Sequence, residues 1–372
     1  MSKEPESRYE AFEPDIWSHV LGGLVERHPR FWVRMGNLET RVFHDSLKAV
    51  PLTQPVYVSG LARAGTTILL ETLAGHAATV THRYRDYPLV FTPCWWNRFL
   101  DRMPHSGQVA VERSHRDGIR VTADSPEAFE EMLWMAFFPS AHDPGVSQVL
   151  DGSSANPAFE AFYRDHVRKL LMLRGGSRYL AKGNYNLTRL EYLLGLFPDA
   201  RFVLAVRDPV WHIASLIKQH TLFCAAERAH PRALDYMRRA GHFEFGLDRR
   251  PINTGDPMMV SEIEACWQTG REVEGWARYW TYLHRYLADR LEANAALREA
   301  VCIVRHEELC DAPAETLNGI FSHCRLDGAA ELIVRKAENF RPPSYYALPF
   351  DSGERTMIKR LTGVTARRFG YG

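Results

Sequence analysis

The sequence predicts an α/β fold in three layers, a central parallel sheet of about five strands flanked by helices. Two observations predict it. Short apolar runs recur far apart along the chain, and each is followed by a stretch of helical period. That alternation joins parallel strands through crossover helices. Strands covered on both faces read as near-continuous apolar runs, which is how these read. The expected strands are Val56 to Ser59, Thr79 to His82, Tyr179 to Lys182, Phe202 to Val206 and Val301 to Val304.

Two long helical regions lie between them. In SPEAFEEMLWMAFF, Ser125 is placed to cap a helix whose positive end Glu127 and Glu130 would favour. Another helix is expected from Ser261, where Glu264 three residues on gives a capping-box spacing. Without repeat or linker, the chain reads as one domain over 1–372, with an N-terminal helical extension (1–54) and an insertion or lid (223–260).

Composition narrows the function. Lys plus Arg (46) nearly cancels Asp plus Glu (45), so no global field draws the protein to nucleic acid or to a membrane, and neither is expected as a partner. An anion site must therefore be built locally. Six cysteines without C-x-x-C spacing argue against a structural zinc, and no metal is expected. A polar N-terminus and the lack of an eighteen-residue apolar run lead to the expectation of a cytoplasmic protein; an oligomer is possible.

The most informative segment is VYVSGLARAGTTILLETLAGH, Val56 to His76, where an apolar strand enters a Gly-containing turn and then a helix. Backbone N–H groups at Ala64, Gly65, Thr66 and Thr67 would be free at the helix start, where the macrodipole also favours an anion. Against the nucleoside-triphosphate loop G-x-x-x-x-G-K-[ST], Gly60 and Gly65 have the right spacing, but Thr66 stands where the Lys belongs. Arg63 is the cation inside the loop instead, which suits a shorter anionic group. The plain alternative is an ordinary strand-to-helix turn with a surface Arg.

RFVLAVRDPVWHIASL, Arg201 to Leu216, supplies a second strand-helix junction. Arg207 ends the strand, Pro209 opens the helix, and Ser215 lies two turns along it, so Arg207 and Ser215 could close on one phosphate. Alternatively Arg207 pairs with Asp208 or Asp199, and Ser215 with its own helix backbone.

Together these segments resemble the sulfotransferase family, whose loop has the form [RK]-[SA]-G-T-[TS] and whose 3′-phosphate site is an Arg followed eight residues later by a Ser. The resemblance runs in patches from about Gln54 to Asp327 and includes VCIVRHEELCDAP near the end. It implies a P-loop-like fold and 3′-phosphoadenosine 5′-phosphosulfate (PAPS) as co-substrate. Arg63, Ala64, Gly65, Thr66 and Thr67 would hold the 5′ phosphosulfate, and Arg207 with Ser215 the 3′-phosphate. Lys182 falls where cytosolic members carry a Lys at the end of the strand before the 3′-phosphate strand, but Asn184 stands in place of their catalytic His two residues beyond it; Lys182 would approach the bridging oxygen as charge grows there. Ile68 likewise stands where those members stack adenine on a Trp.

The resemblance implies sulfuryl transfer to a small acceptor, for which a base is needed. Branches with an Arg-containing loop use a carboxylate soon after the second strand, and Asp86 is the nearest match. His115 is the second candidate and His82 the third, and a surface ion pair with Arg83 or Arg85 is the plain alternative for Asp86. Rings from Tyr84, Phe91, Trp95 and Trp96 to Trp134, Phe137 and Phe138 would line an acceptor pocket or simply pack the core. Lys359, Arg360, Arg367 and Arg368 read as a solvated basic tail. Two rivals remain: a nucleotide-dependent kinase and a catalytically silent nucleotide-binding protein.

Overall fold

The computed structural model describes residues 12–103, 110–115, 118–340 and 348–372. Five parallel strands form the main sheet: β1 (Val56–Ser59), β2 (Thr79–Val80), β5 (Arg178–Lys182), β6 (Arg201–Val206) and β7 (Val301–Arg305), in the order β2-β5-β1-β6-β7. β3 (Val111–Glu112) and β4 (Arg120–Val121) pair separately as a short antiparallel hairpin. All five expected strands are present. β2 is cut short because His82 turns into a buried polar cluster, and the hairpin has too few residues to leave an apolar run in the sequence.

Alternate residues of the central strands serve opposite cores, as the two-residue strand period requires. Val56, Val58, Val203 and Ala205 face the helices Thr66–Leu73, Pro313–His323 and Ala330–Ala337. Tyr57, Phe202 and Leu204 face Pro157–Arg174, Pro209–Ala229 and Glu272–Ala293. The register pairs Val58 with Lys182 and Ser59 with Leu204, so the carboxyl ends of β1, β5 and β6 share one edge. Ligands of open parallel sheets bind at that edge.

Two expected helix starts are corrected. The first helix begins at Glu130, because Ser125 Oγ accepts from Thr122 N at 3.0 Å within a turn and does not cap. Ser261 and Glu264 lie inside the helix Pro257–Gln268, whose start is set by Pro257 and by Asp256 accepting from Met259 N at 3.0 Å. A cap followed at once by proline is the stronger start.

Of the N-terminal extension, residues 1–11 lie outside the described residues; the rest contains helices Ile16–Arg27, Pro29–Val42 and His44–Lys48. It is pinned to the body by Lys169, whose Nζ donates to Gly36 O at 2.6 Å and pairs with Glu39 at 3.2 Å, both side chains fully buried. Phe223 proves to be part of the helix Pro209–Ala229; the insertion proper is Pro231–Ala240 and the loop after it.

Candidate active site

The turn after β1 is shaped by three left-handed residues, Gly60, Arg63 and Gly65. A Cβ on Gly60 would lie 2.5 Å from Ala205 O, so only glycine lets β1 leave the sheet this close to β6. His212 fixes the turn from behind. Trp280 Nε1 donates to its Nδ1 at 3.2 Å, which leaves the proton on Nε2 to donate to Ala62 O at 2.8 Å. Burial holds this histidine neutral, its pKa well below the ordinary value.

The two strand-helix junctions meet. Arg63 Nε donates to Ser215 Oγ at 3.3 Å, and Arg207 Nη1 donates to the carbonyl of Arg63 at 3.4 Å. Asp208 is engaged as helix cap, accepting from Val210 N and Trp211 N, and Asp199 accepts from Gln54 N. The contacts seen for Asp208 and Asp199 are thus to backbone N–H groups, and Ser215 accepts from Arg63. Sequence reasoning missed two neighbours. Arg113, just after β3, donates to Thr67 Oγ1 at 3.3 Å. His306, at the end of β7, has its Nδ1 3.1 Å from where a Gly65 Cβ would lie; burial, Arg207 and Arg63 push its pKa down to about 4.

A cleft opens beside this cluster, lined by Arg63, Thr66, Thr67, Arg113, His115 and Lys182 among others. Its far wall is polar: Glu127, Asn184, His242 and Glu244. Asn184 bridges the two sides, with Thr66 Oγ1 at 3.4 Å and Glu244 Oε1 at 2.7 Å. His242 Nδ1 lies 3.6 Å from Glu244 Oε2. Burial opposes ionisation of Glu244, yet His242, Asn184 and Lys182 outweigh it and hold its pKa at about 2. Glu127 also lies below the ordinary value: burial raises it, while Lys182, His242 and a hydrogen bond from Tyr84 lower it by more. Both carboxylates are therefore ionised at neutral pH.

Asp86 is not in this cleft. It is completely buried, clasped by Arg174 Nη2 at 2.7 Å to both oxygens, with His82 Nδ1 at 3.3 Å and Asn97 Nδ2 at 3.0 Å. Burial raises its pKa; His82 and Arg174 outweigh that and hold it far below the carboxylate range. Both oxygens are taken up by Arg174 and the group lies outside the cleft, so Asp86 holds the fold and its expected role is corrected; His82, turned into the same cluster, goes with it. The ion pair is with Arg174 and not with Arg83 or Arg85. A different carboxylate lies beside the second strand: Glu127 N donates to His82 O at 3.0 Å, which sets Glu127 against the residues that follow β2. His115 does reach the cleft, its ring 5.0 Å from that of Phe223.

The aromatic lining differs too. Phe223 and Phe245 line the cleft, whereas Trp134, Phe137 and Phe138 border a separate cavity and Phe91 is core. Lys359, Arg360 and Arg367 sit on a C-terminal helix, Ser352–Arg368, that packs against Glu272–Ala293, with Arg368 paired to Asp289 at 2.7 Å.

Compared with known families, residues 55–241, half of the chain, match the model described as the sulfotransferase family. The chain belongs to the sulfotransferase family. The matched residues include the turn after β1, Glu127, Lys182, Arg207 and Ser215. No curated protein matches the chain. Among solved structures, the chain is similar to sulfotransferase STF9 from Mycobacterium avium, at 16% identity and a TM-score of 0.50 over 90% of this chain and 82% of that one. It is also similar to sulfotransferase STF1 from Mycobacterium tuberculosis H37Rv, at 17% identity and a TM-score of 0.47 over 96% and 89%. The sulfotransferase family and the central parallel sheet thus agree.

Proposed function

We propose that the protein transfers the sulfuryl group of PAPS to a hydroxyl or amine of a small aromatic or apolar acceptor. The observation that carries the reading is the convergence of Arg63, Arg207 and Ser215, two distant strand-helix junctions forming one cationic corner. Thr66 in place of Lys speaks against a nucleoside triphosphate, and a doubly phosphorylated adenosine needs two adjacent anion sites of this kind.

Bound PAPS would supply a sulfur that an acceptor atom can attack in line, with the bond to the bridging phosphate oxygen breaking. The chain's part is positioning and fixed charge. Loop amides and Arg63 hold the transferring group, Lys182 meets the charge that grows on the leaving phosphate oxygen, and Glu127 accepts the proton of the acceptor. Phe223 and Phe245 offer apolar surface to that acceptor, and Asn184 ties the loop to Glu244 across the cleft.

The test is thermal shift with adenosine 3′,5′-bisphosphate against ATP with Mg²⁺, followed by acceptor-dependent release of the bisphosphate from PAPS. Stabilisation by the bisphosphate is expected, weakened about 10- to 100-fold in apparent affinity by Arg63→Ala or Arg207→Ala. Stabilisation by ATP with Mg²⁺ alone would point to a kinase, and bisphosphate binding without release across a broad acceptor panel to a silent binder.

A further inference from the structure

Single exposed apolar side chains are ordinary on a protein surface, but a row of them is not. The N-terminal helices present such a row. On Ile16–Arg27, Ile16, Trp17, Val20 and Leu24 are exposed at helical spacing, Trp17 by 77%, opposite buried Gly22 and Val25. Phe31 and Leu38, seven residues apart on one face of Pro29–Val42, are exposed as well. The two helices join at His28, where Trp32 Nε1 donates to Leu24 O at 3.4 Å.

The charges of this segment are sorted. Glu13, Glu26 and Glu39 pair with the body of the protein, through Arg232, Arg239 and Lys169. Asp15 caps its helix by accepting from Ser18 N. Arg27, Arg30, Arg34 and Arg41 are exposed on the same two helices. The face is also close to the cleft: Phe12, four residues before the first helix, packs edge-on against Phe223, ring centroids 5.2 Å apart, and Phe223 lines the cleft wall.

We propose that this face docks on the surface of an anionic lipid bilayer and brings the cleft to acceptors held there. The apolar row would sit at the boundary of headgroups and acyl chains, with the arginines on lipid phosphates; the exposed Trp17 suits that boundary. No helix among the described residues is long and apolar enough to cross a membrane, so the contact is peripheral. A second copy fits less well, since a two-fold interface sets a patch against itself and would oppose arginine to arginine. The near-zero charge of the whole chain, +1, conceals this local sorting and led to the expectation of no membrane partner. Modification of a membrane-held acceptor rests on the transferase reading; the docking does not.

The experiment is co-sedimentation of the full chain, without nucleotide, with vesicles of phosphatidylcholine alone or mixed with phosphatidylglycerol. Association with the anionic vesicles is expected, weakened by salt and reduced about tenfold or more both by Trp17→Ser with Phe31→Ser and by Arg30→Glu with Arg34→Glu. The bisphosphate thermal shift should be unchanged in both variants, which shows that they fold. No association, or association that neither variant reduces, overturns the proposal. So does a dimer in sedimentation velocity that Trp17→Ser with Phe31→Ser dissolves while vesicles bind nothing, which would assign the face to a second copy. Because binding is read without donor or acceptor, its failure leaves the transferase reading standing, and lack of turnover leaves the docking standing.

Discussion

The two walls of the cleft are built differently. The cationic wall comes from the ends of β1 and β5, where Arg63 and Lys182 line the cleft, with Arg207 at the end of β6 tied to it through the Arg63 carbonyl. The carboxylate wall comes from loops: Glu127 before the helix Glu130–Phe137, and His242 with Glu244 in the insertion. Phosphate recognition uses backbone conformation, which constrains local sequence; proton transfer needs one carboxylate at one place, which any passing loop can supply. The first wall is therefore constrained in sequence and the second is free to be rebuilt.

The sharpest way to break this division is Glu127→Gln. If Glu127 takes the acceptor proton, turnover should fall about 10²- to 10⁴-fold while bisphosphate affinity holds within about twofold. Single-turnover rates and a binding titration on the same preparation check both halves. Turnover within tenfold of the parent moves the proton acceptor to the His242 and Glu244 pair.

Asp86→Asn is the counterpart on the scaffold side. It leaves Arg174 buried without its charge partner, a change that costs about 3–5 kcal/mol of stability when a buried pair is broken from one side. The denaturation midpoint should drop accordingly, while turnover per folded molecule at low temperature stays near the parent's. A selective loss of turnover with stability intact would return Asp86 to the chemistry and erase the contrast with Glu127.

How much was readable follows the same line. The five strands, the turn from Gly60 to Thr67 and the Arg207–Ser215 junction were legible because each is a short-range pattern with one physical cause. Asp86 was misassigned because sequence distance from β2 was the only guide, and nothing local distinguishes a carboxylate turned inward to Arg174 from one facing a cleft. Glu127 was visible only as an acid near a helix start, and its pairing with His82 is a contact across forty-five residues. Arg113 belongs to no pattern, and His306 lies inside VCIVRHEELCDAP without a role assigned there; the hairpin that carries one and the β7 register that leads into the other had to be folded first.

His306 offers the finest discrimination between the walls, because it reports on the cationic one alone. Its pKa of about 4 reflects burial first and then Arg207 and Arg63, so it is neutral at pH 7. A histidine whose folded pKa lies below the ordinary value of about 6.5 gives stability that is present above that value and is lost as pH falls toward 4. Among the described residues, Cys310, 3.9 Å from its Nε2, and the two arginines are the titratable or charged groups that act on it, and burial leaves the Cys310 thiol protonated in this range. If the bisphosphate binds as proposed it would offset the arginines and let His306 take up a proton, so ligand affinity should rise as pH falls across the same window in which the free protein weakens. The gain is at most about tenfold for each unit by which the pKa recovers. His306→Asn should flatten that added slope while keeping the intrinsic titration of the phosphates, and calorimetry in buffers of different ionisation enthalpy should show the proton uptake disappear with it. If the parent and His306→Asn bind with the same pH dependence, His306 does not face the ligand, and the cationic wall ends at Arg207.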